Sequence, residues 1–350
     1  MQYGSRNYQD GSMKHTLNKT KKDLLGQYMT VNADKILKNF RGYVIGRNVV
    51  DPCAGHGDLL RWARDNWANE VEGFDIEPQG NDKFNDMYKT PVDCYKKLVV
   101  TNPPYLSSNR AVDKTPYKRW GQSDLYKCYL ATLMESKVEQ AIIIQPSNFL
   151  CESNSKAREM LFENYSITYA EHWQEEIFDK VAIGIMVMHI KREKKDIQRF
   201  EYLNRTTGVT TYMKLEGPSF LHGPEELIDM KDYIRFQKLD IGMDPPNSKI
   251  IVSLLDKGKY QMGFHVNEGE DIYNKPTSFT TYQINTPDDL NAKQHFILTK
   301  KANFLLRSYR NIYNSMFLSN YIDYNQKILS RSIANKILSK IYPISCHVDY

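Results

Sequence analysis

From Asn48 to Lys191, short apolar runs alternate with amphipathic stretches. Asn48–Asp51, Val71–Ile76, Leu98–Thr101, Ala141–Gln145, Ile167–Glu171 and Val181–Ile190 read as strands. The intervening patterns at Asp58–Asn69, Asp124–Lys137 and Ser153–Asn164 carry the 3.6-residue apolar period of helices. Strands apolar on both faces, alternating with helices, predict an α/β fold with a mostly parallel sheet covered on both sides. In such sheets ligands sit at the carboxyl ends of the strands. The rhythm stops at the charged run Lys191-Arg192-Glu193-Lys194-Lys195, which reads as the exit from a first domain. Residues 196–290 hold short mixed segments punctuated by Pro and Gly. Residues 291–340 read as helical, with Phe296, Ile297, Phe304, Leu305, Leu306, Ile312 and Phe317 as apolar positions among Lys and Arg. The expected organisation is a flexible polar tail at 1–20, a ligand-binding domain at 21–195 and a second domain at 196–350.

Composition adds bounds. A chain of 350 residues, 41% hydrophobic and 25% charged, suits a globular protein of two domains. Its 24 tyrosines suit surfaces that stack on or hydrogen-bond to partners. The five cysteines are odd in number and lack Cys-x-x-Cys spacing, which predicts reduced thiols in a cytoplasmic setting, with neither zinc nor disulfides. No apolar run reaches membrane-spanning length, and the first residues lack the apolar core of a secretory signal. The net charge of +5 is uneven: residues 1–190 carry 24 basic and 24 acidic residues, whereas residues 291–350 carry 9 against 2. A basic C-terminal end suggests a polyanionic partner.

Three motifs carry chemistry, each at a strand end. Asp51-Pro52-Cys53-Ala54-Gly55-His56-Gly57-Asp58 joins the first strand to a helix. Gly55 and Gly57 let the backbone turn tightly and approach a ligand. A phosphate loop would avoid Asp51 and Asp58, so this acidic loop suits a cationic, amino-acid-bearing cofactor such as S-adenosylmethionine. Asp75, 24 residues after Asp51, is placed to take two ribose hydroxyls. Ile76 would pack on the cofactor adenine, and Asp86-Met87 would cap it, with Asp86 accepting from its amino group. The third motif is Asn102-Pro103-Pro104-Tyr105. Two prolines cannot continue a strand ladder, so the chain leaves the sheet in a rigid turn. That turn offers an amide side chain, a free carbonyl and an aromatic ring, a set that suits a planar amine.

In this order and spacing, the motifs resemble those of the S-adenosylmethionine-dependent N6-adenine DNA methyltransferases of the gamma group, in which the recognition domain is C-terminal. The resemblance covers about residues 21–192. Gly26-Gln27-Tyr28-Met29-Thr30 is similar to the motif that closes over the methionine part of the cofactor, and places Tyr28 and Thr30 at that site. Val31 stands where the family usually has proline. Asp51, Cys53, Gly55 and Gly57 fall in the cofactor loop, with Cys53 a small packing residue. Asn102 also borders the cofactor. Asp124-Leu125-Tyr126 and Ile142–Leu150 are similar to the segments that follow the catalytic turn, and Glu176-Ile177-Phe178 to the one that supplies a second aromatic contact.

The family implies a seven-stranded, mostly parallel Rossmann-like sheet, a mixed and partly helical C-terminal recognition domain, and rotation of the target base out of the duplex. Tyr105 and Phe178 would sandwich the flipped adenine. Asn102 Oδ1 and the Pro103 carbonyl would accept its amino hydrogens. The basic stretch after the turn (Arg110, Lys114, Lys118, Arg119) would contact phosphates. No metal is needed. The implied partners are duplex DNA and, for an enzyme of a restriction-modification pair, a cognate endonuclease, in a bacterial, phage or viral setting.

Rival readings share the turn. Protein-glutamine methyltransferases hold a planar amide with Asn-Pro-Pro-Tyr but place a helical domain before the cofactor loop. Ribosomal RNA base methyltransferases are a second rival, and a catalytically dead DNA-binding module a third. Asp244-Pro245-Pro246-Asn247 imitates the catalytic turn but follows no buried strand.

Overall fold

The structure is a computed structural model, and it describes residues 26, 28, 30–80, 82–136, 138–150, 155–173, 184–216, 225–227, 230, 235–238, 250–254, 262–266, 281–285, 290–313, 319–320 and 327–346. The Asp244–Asn247 segment lies outside them.

Two short helices, α1 (Ala33–Ile36) and α2 (Arg41–Val44), precede the sheet. The first seven strands are β1 (Asn48–Asp51), β2 (Glu70–Asp75), β3 (Lys83–Phe84), β4 (Leu98–Thr101), β5 (Gln140–Pro146), β6 (Ser166–Trp173) and β7 (Ile185–Lys191). Helices α3 (Asp58–Asp65), α4 (Thr115–Trp120), α5 (Leu125–Glu135) and α6 (Ser155–Phe162) lie between them. The order across the sheet is β3-β2-β1-β4-β5-β7-β6, parallel except for β7. This is the mostly parallel Rossmann-like sheet expected. All four residues of β4 are buried, as its unbroken apolar run demands of a central strand.

Among the described residues the sheet has nine strands, against the seven expected. Strands β8 (Ile197–Asn204) and β9 (Val209–Glu216) continue it past β6, with β8 parallel to β6 and β9 folding back as a hairpin. The charged run at 191–195, expected to leave the domain, is therefore a connection inside one sheet. Its residues are exposed and turn the chain from β7 to β8.

Helix α3 stops four residues short of its expected end. The Asn66 side chain donates back to the Trp62 carbonyl (2.8 Å), and Trp67 adopts a left-handed φ of 64°. Such a residue ends a helix and turns the chain into β2.

A second core lies downstream. Strands β10 (Arg235–Lys238), β11 (Ile250–Ser253), β12 (Gly263–Val266) and β13 (Thr281–Asn285) form an antiparallel sheet in the order β10-β13-β11-β12. Helices α7 (Ala292–Tyr313) and α8 (Arg331–Cys346) bury Leu298, Ala302, Leu306, Ile333, Ile337 and Leu338 with Val252 and Phe264 of that sheet. The C-terminal region is thus mixed and partly helical, as expected. No helix among the described residues is long and apolar enough to cross a membrane.

Candidate active site

The carboxyl ends of β1, β2 and β4 open on one cleft, whose empty space is about 720 Å³ with its solvent-filled mouth included. Its wall includes Tyr28, Thr30, Asp51, Cys53, Gly55, Asp75, Ile76, Asp86, Met87 and Asn102, ten of the eleven positions expected to meet the cofactor. The strand-end residues meet here because parallel strands end at one edge, and Asn102 also meets Tyr28, 74 positions earlier in the chain.

Gly57 is the exception. It does not line the cleft. It is the N-cap of α3, with a left-handed φ of 75°, and its amide closes a turn onto the Ala54 carbonyl at 2.8 Å. Its glycine character serves the turn. Gly55, with a φ of 55°, does reach the cleft, and its amide donates to Asp75 Oδ2 (2.9 Å).

Asp75 closes β2. Its second oxygen, Oδ1, accepts the Glu77 amide (2.8 Å). Each oxygen keeps a further lone pair for a ligand hydroxyl. Asp51 is fully buried at the end of β1. Its Oδ1 accepts the Cys53 amide (3.0 Å), while Oδ2 makes no hydrogen bond within the protein. Burial is the largest cause that lifts the Asp51 carboxyl to about 7; nearby Asp75 and Asp82 add to it, against the Cys53 amide and the Thr101 hydroxyl. An orphaned carboxylate oxygen among like charges favours a cationic ligand and disfavours a phosphate. The residues present therefore fit S-adenosylmethionine, the cofactor expected, whose sulfonium and ammonium are both cationic.

Cys53 borders the cleft, and its thiol is pushed well above its ordinary range, first by burial and then by Asp51 and Asp75. A neutral thiol is a poor nucleophile, so it is not poised for attack on a base. Both Asp86 oxygens have partners, the Tyr88 amide (3.1 Å) and Lys89 Nζ (3.0 Å). Met87 is buried against the Val92 amide. Among the described residues no cluster of His, Cys, Asp and Glu is arranged to hold a metal ion.

The Asn102–Tyr105 turn is clasped by residues 26, 28 and 30. The Tyr105 amide donates to the Gly26 carbonyl (2.8 Å), and Asn102 Nδ2 donates to the Tyr28 carbonyl (2.8 Å) and to Thr30 Oγ1 (3.0 Å). Because the Tyr28 carbonyl can only accept, the atom facing it must be Nδ2, which sets the orientation of the amide. Gly26 has a left-handed φ of 68°, and a Cβ there would stand 2.5 Å from the Tyr105 carbonyl oxygen. Only glycine permits this approach.

The Tyr105 ring differs from expectation. It does not line the cleft; it is 7% exposed, tilted against Tyr28 (centroids 5.5 Å apart) and edge-on to Tyr126 (6.2 Å). The physical reason is its hydroxyl, which finds Asn102 Oδ1 and the Ile144 carbonyl (3.0 Å) beneath the turn. Pro103 is buried, and Pro104 is the proline on the cleft wall. Phe178 lies outside the described residues.

The basic stretch after the turn is more ordered than an open loop. Ser107 bridges Asp124, the Ser108 amide donates to the Ser123 carbonyl (2.8 Å), and α4 packs Tyr117 on Cys128. Two of its four cations are engaged within the fold: Lys114 donates to the Ser108 carbonyl, and Arg119 pairs with Glu135 (2.7 Å) and the Tyr88 carbonyl (3.1 Å). Arg110 and Lys118 are exposed.

Several cleft residues were not anticipated from the sequence: His56, Asn85, Tyr88 and Pro104. Each is next to, or two places from, a residue that was. Two anticipated segments meet through Tyr126, whose hydroxyl donates to Asn148 Oδ1 (2.8 Å).

The family model described as Eco57I restriction-modification methylase matches residues 63–178. No curated protein matches the chain. Among solved structures, the methyltransferase subunit of a type I restriction-modification system from Streptococcus thermophilus superposes with a TM-score of 0.39 at 16% identity, over 51% of this chain and 47% of that one. The type IIG restriction endonuclease BpuSI gives 0.40 at 18%, over 51% and 27%. The DrdV–DNA complex gives 0.43 at 11%, over 67% and 36%. The chain spans less than half the length of each of these three. Across about a third of its 350 residues, a stretch that includes Asn102–Tyr105, the chain matches the Eco57I restriction-modification methylases.

Proposed function

We propose that this protein is the modification enzyme of a restriction-modification system, or a lone relative of one, and methylates N6 of adenine in duplex DNA. The observation that carries the reading is the placement of Asn102. One side chain borders the acidic cleft and is held by three neighbours with its oxygen oriented.

S-adenosylmethionine supplies an electrophilic methyl group on a sulfonium. The chain's residues do the rest by positioning and electrostatics. Asp75 takes the ribose hydroxyls, Ile76 and Met87 contact the adenine, and Asp51 faces the cationic part. Asn102 Oδ1 and the Pro103 carbonyl accept the two hydrogens of the target amine, which directs the nitrogen lone pair at the methyl carbon. The N–CH3 bond forms as the S–CH3 bond breaks, and the sulfur leaves with the electron pair as a neutral thioether. An amide cannot serve as a base, so the extra proton passes to water after transfer.

The target amino group lies within the stacked duplex, so the base must rotate out to meet Asn102. Phe178 supplies an aromatic face for it. Tyr105 acts in this arrangement through its hydroxyl, as a positioning residue behind Asn102. The region from 196 to the C-terminus grips DNA and reads sequence, and Arg110 and Lys118 touch phosphates beside the flipped nucleotide.

The test is transfer of a radiolabelled methyl group from S-adenosylmethionine to duplex DNA, structured RNA and protein in parallel. Label in DNA, released on digestion as N6-methyladenine, is expected. Label confined to RNA or to protein overturns the reading.

A further inference from the structure

Helix α7 buries one face and leaves the other open. Its 22 residues contain five cations (Lys293, Lys300, Lys301, Arg307, Arg310) and no acidic residue. His295, Leu298, Ala302, Leu306 and Tyr309 are buried on the inner side. Lys293, Phe296, Lys300, Phe304 and Arg307 follow one another along the outer side at helical spacing, all exposed. Phe296 is 54% and Phe304 73% exposed, both unusually open for large apolar rings. Lys300 Nζ lies 5.2 Å from the Phe296 ring centre.

We infer that this outer stripe of α7 is a docking surface for duplex DNA. The inference rests on the DNA-methylation reading above. Three features select the partner. Charge complementarity comes first: a helix with cations and no carboxylates matches a polyanion. Spacing comes second. Lys293, Lys300 and Arg307 recur every seven residues, about 10 Å along the axis, and the helix spans about 33 Å, roughly ten base pairs. An α-helix, about 10–12 Å across with its side chains, enters a major groove about 12 Å wide. The third is the interleaving of rings with cations. Two phenylalanines about 12 Å apart, separated by a lysine, make no continuous apolar patch for a membrane or a second copy of the chain. Each is suited to an apolar contact with a base or sugar between phosphate contacts.

The position of the helix agrees. In its last turn the Asn311 carbonyl accepts the Asn204 side chain (3.0 Å) and the Thr207 hydroxyl (3.4 Å). Asn204 ends β8, which runs parallel to β6, and β6 and β5 both run antiparallel to β7. The carboxyl end of β8 therefore lies at the same edge of the sheet as those of β1, β4 and β5, where the cleft opens. Helix α7 is fastened to the edge at which the target base must arrive.

The test uses the full-length protein and a fluorescein-labelled duplex of mixed sequence about three helical turns long, with anisotropy read over a series of salt concentrations. The Lys300→Gln/Arg307→Gln protein is expected to bind about tenfold more weakly, with a salt slope shallower by about two. Phe304→Ala is expected to bind several-fold more weakly with the slope unchanged. All three positions are exposed, and thermal melts that match the wild type confirm the fold. Lys300→Glu/Arg307→Glu should deepen the loss. Wild-type affinity and slope in these variants overturn the inference, as does α7-dependent capture on phosphatidylserine vesicles in place of duplex binding. Methyl transfer to the same duplex separates the two proposals. Transfer by a wild-type protein whose binding ignores the α7 substitutions sinks the docking surface alone. Binding that depends on α7, with no methyl group reaching any DNA, sinks the methylation reading alone.

Discussion

The Tyr105 hydroxyl has one proton and faces two acceptors, Asn102 Oδ1 and the Ile144 carbonyl oxygen. Asn102 cannot turn its amide to relieve this, because the Tyr28 carbonyl requires Nδ2 on its own side. Asn102 Oδ1 thus shares a proton in the ligand-free protein and gains from an incoming N–H. When an amine donates to it, the tyrosine proton is free to serve Ile144 alone. Removing the hydroxyl with Tyr105→Phe keeps the ring and loosens Asn102. The expected result is a fall in kcat of about tenfold, equivalent to about 1.4 kcal/mol, with KM for DNA and cofactor affinity unchanged. Steady-state kinetics of the variant check it; wild-type kcat would leave the ring as the only contribution of Tyr105.

Asn102→Ala removes the oriented acceptor and leaves Asp51 and Asp75 in place. Methyl transfer is expected to vanish while S-adenosylmethionine, measured by calorimetry, binds within a few-fold of wild type. Measurable turnover would remove Asn102 from the mechanism.

The Asp51 carboxyl titrates near 7 in the folded protein, chiefly because it is buried. Between about pH 4 and 7 the folded protein holds this proton more tightly than the unfolded chain. Asp51 therefore makes stability fall as pH rises through that window, with no further change above it. A cationic ligand favours the carboxylate. Cofactor binding is expected to release a proton at pH 6 and to tighten as pH rises to about 8. Calorimetry in two buffers of different ionisation enthalpy reads the proton directly. Asp51→Asn should bind more weakly and lose the pH dependence.

Gly26→Ala places a Cβ 2.5 Å from the Tyr105 carbonyl oxygen at a left-handed φ. The clasp on the Asn102–Tyr105 turn must shift. The expectation is a loss of about 1–3 kcal/mol in stability together with a drop in kcat at saturating substrate. Gly46→Ala is the control: its φ is 66°, yet nothing lies within 4 Å of its Cβ position, so it should cost stability and leave turnover intact. Equal effects of the two substitutions on turnover would show that the clasp does not position Asn102.

The strands of the parallel sheet were legible because burial on both faces writes an unbroken apolar run, as in Leu98–Thr101 and Ile142–Ile144. Strand β3 was not, since its two exposed residues, Lys83 and Phe84, pair only at the sheet's margin and carry no pattern. Strands β8 and β9 were missed for a related reason. Alternation such as Gln198, Phe200, Tyr202 and Asn204 buried against exposed or half-buried neighbours shows a strand, but nothing local says which sheet it joins. The residues that line the cleft were legible because glycines and carboxylates at strand ends have few other uses in such a pattern. His56, Asn85 and Tyr88 reach the cleft only through the path of the loops.

The sequence by itself determined the order of motifs, the strand ends that carry them and the acidic character of the loop after β1, all of which are local or one-dimensional properties. Tertiary structure alone decided how Gly26, Tyr28 and Thr30 clasp Asn102, why Tyr105 turns inward, and that α7 ends at the edge where the cleft opens. These depend on distances between residues remote in the chain, and a hydrogen bond such as that from Asn102 to Tyr28 exists only once the sheet has brought its two ends together.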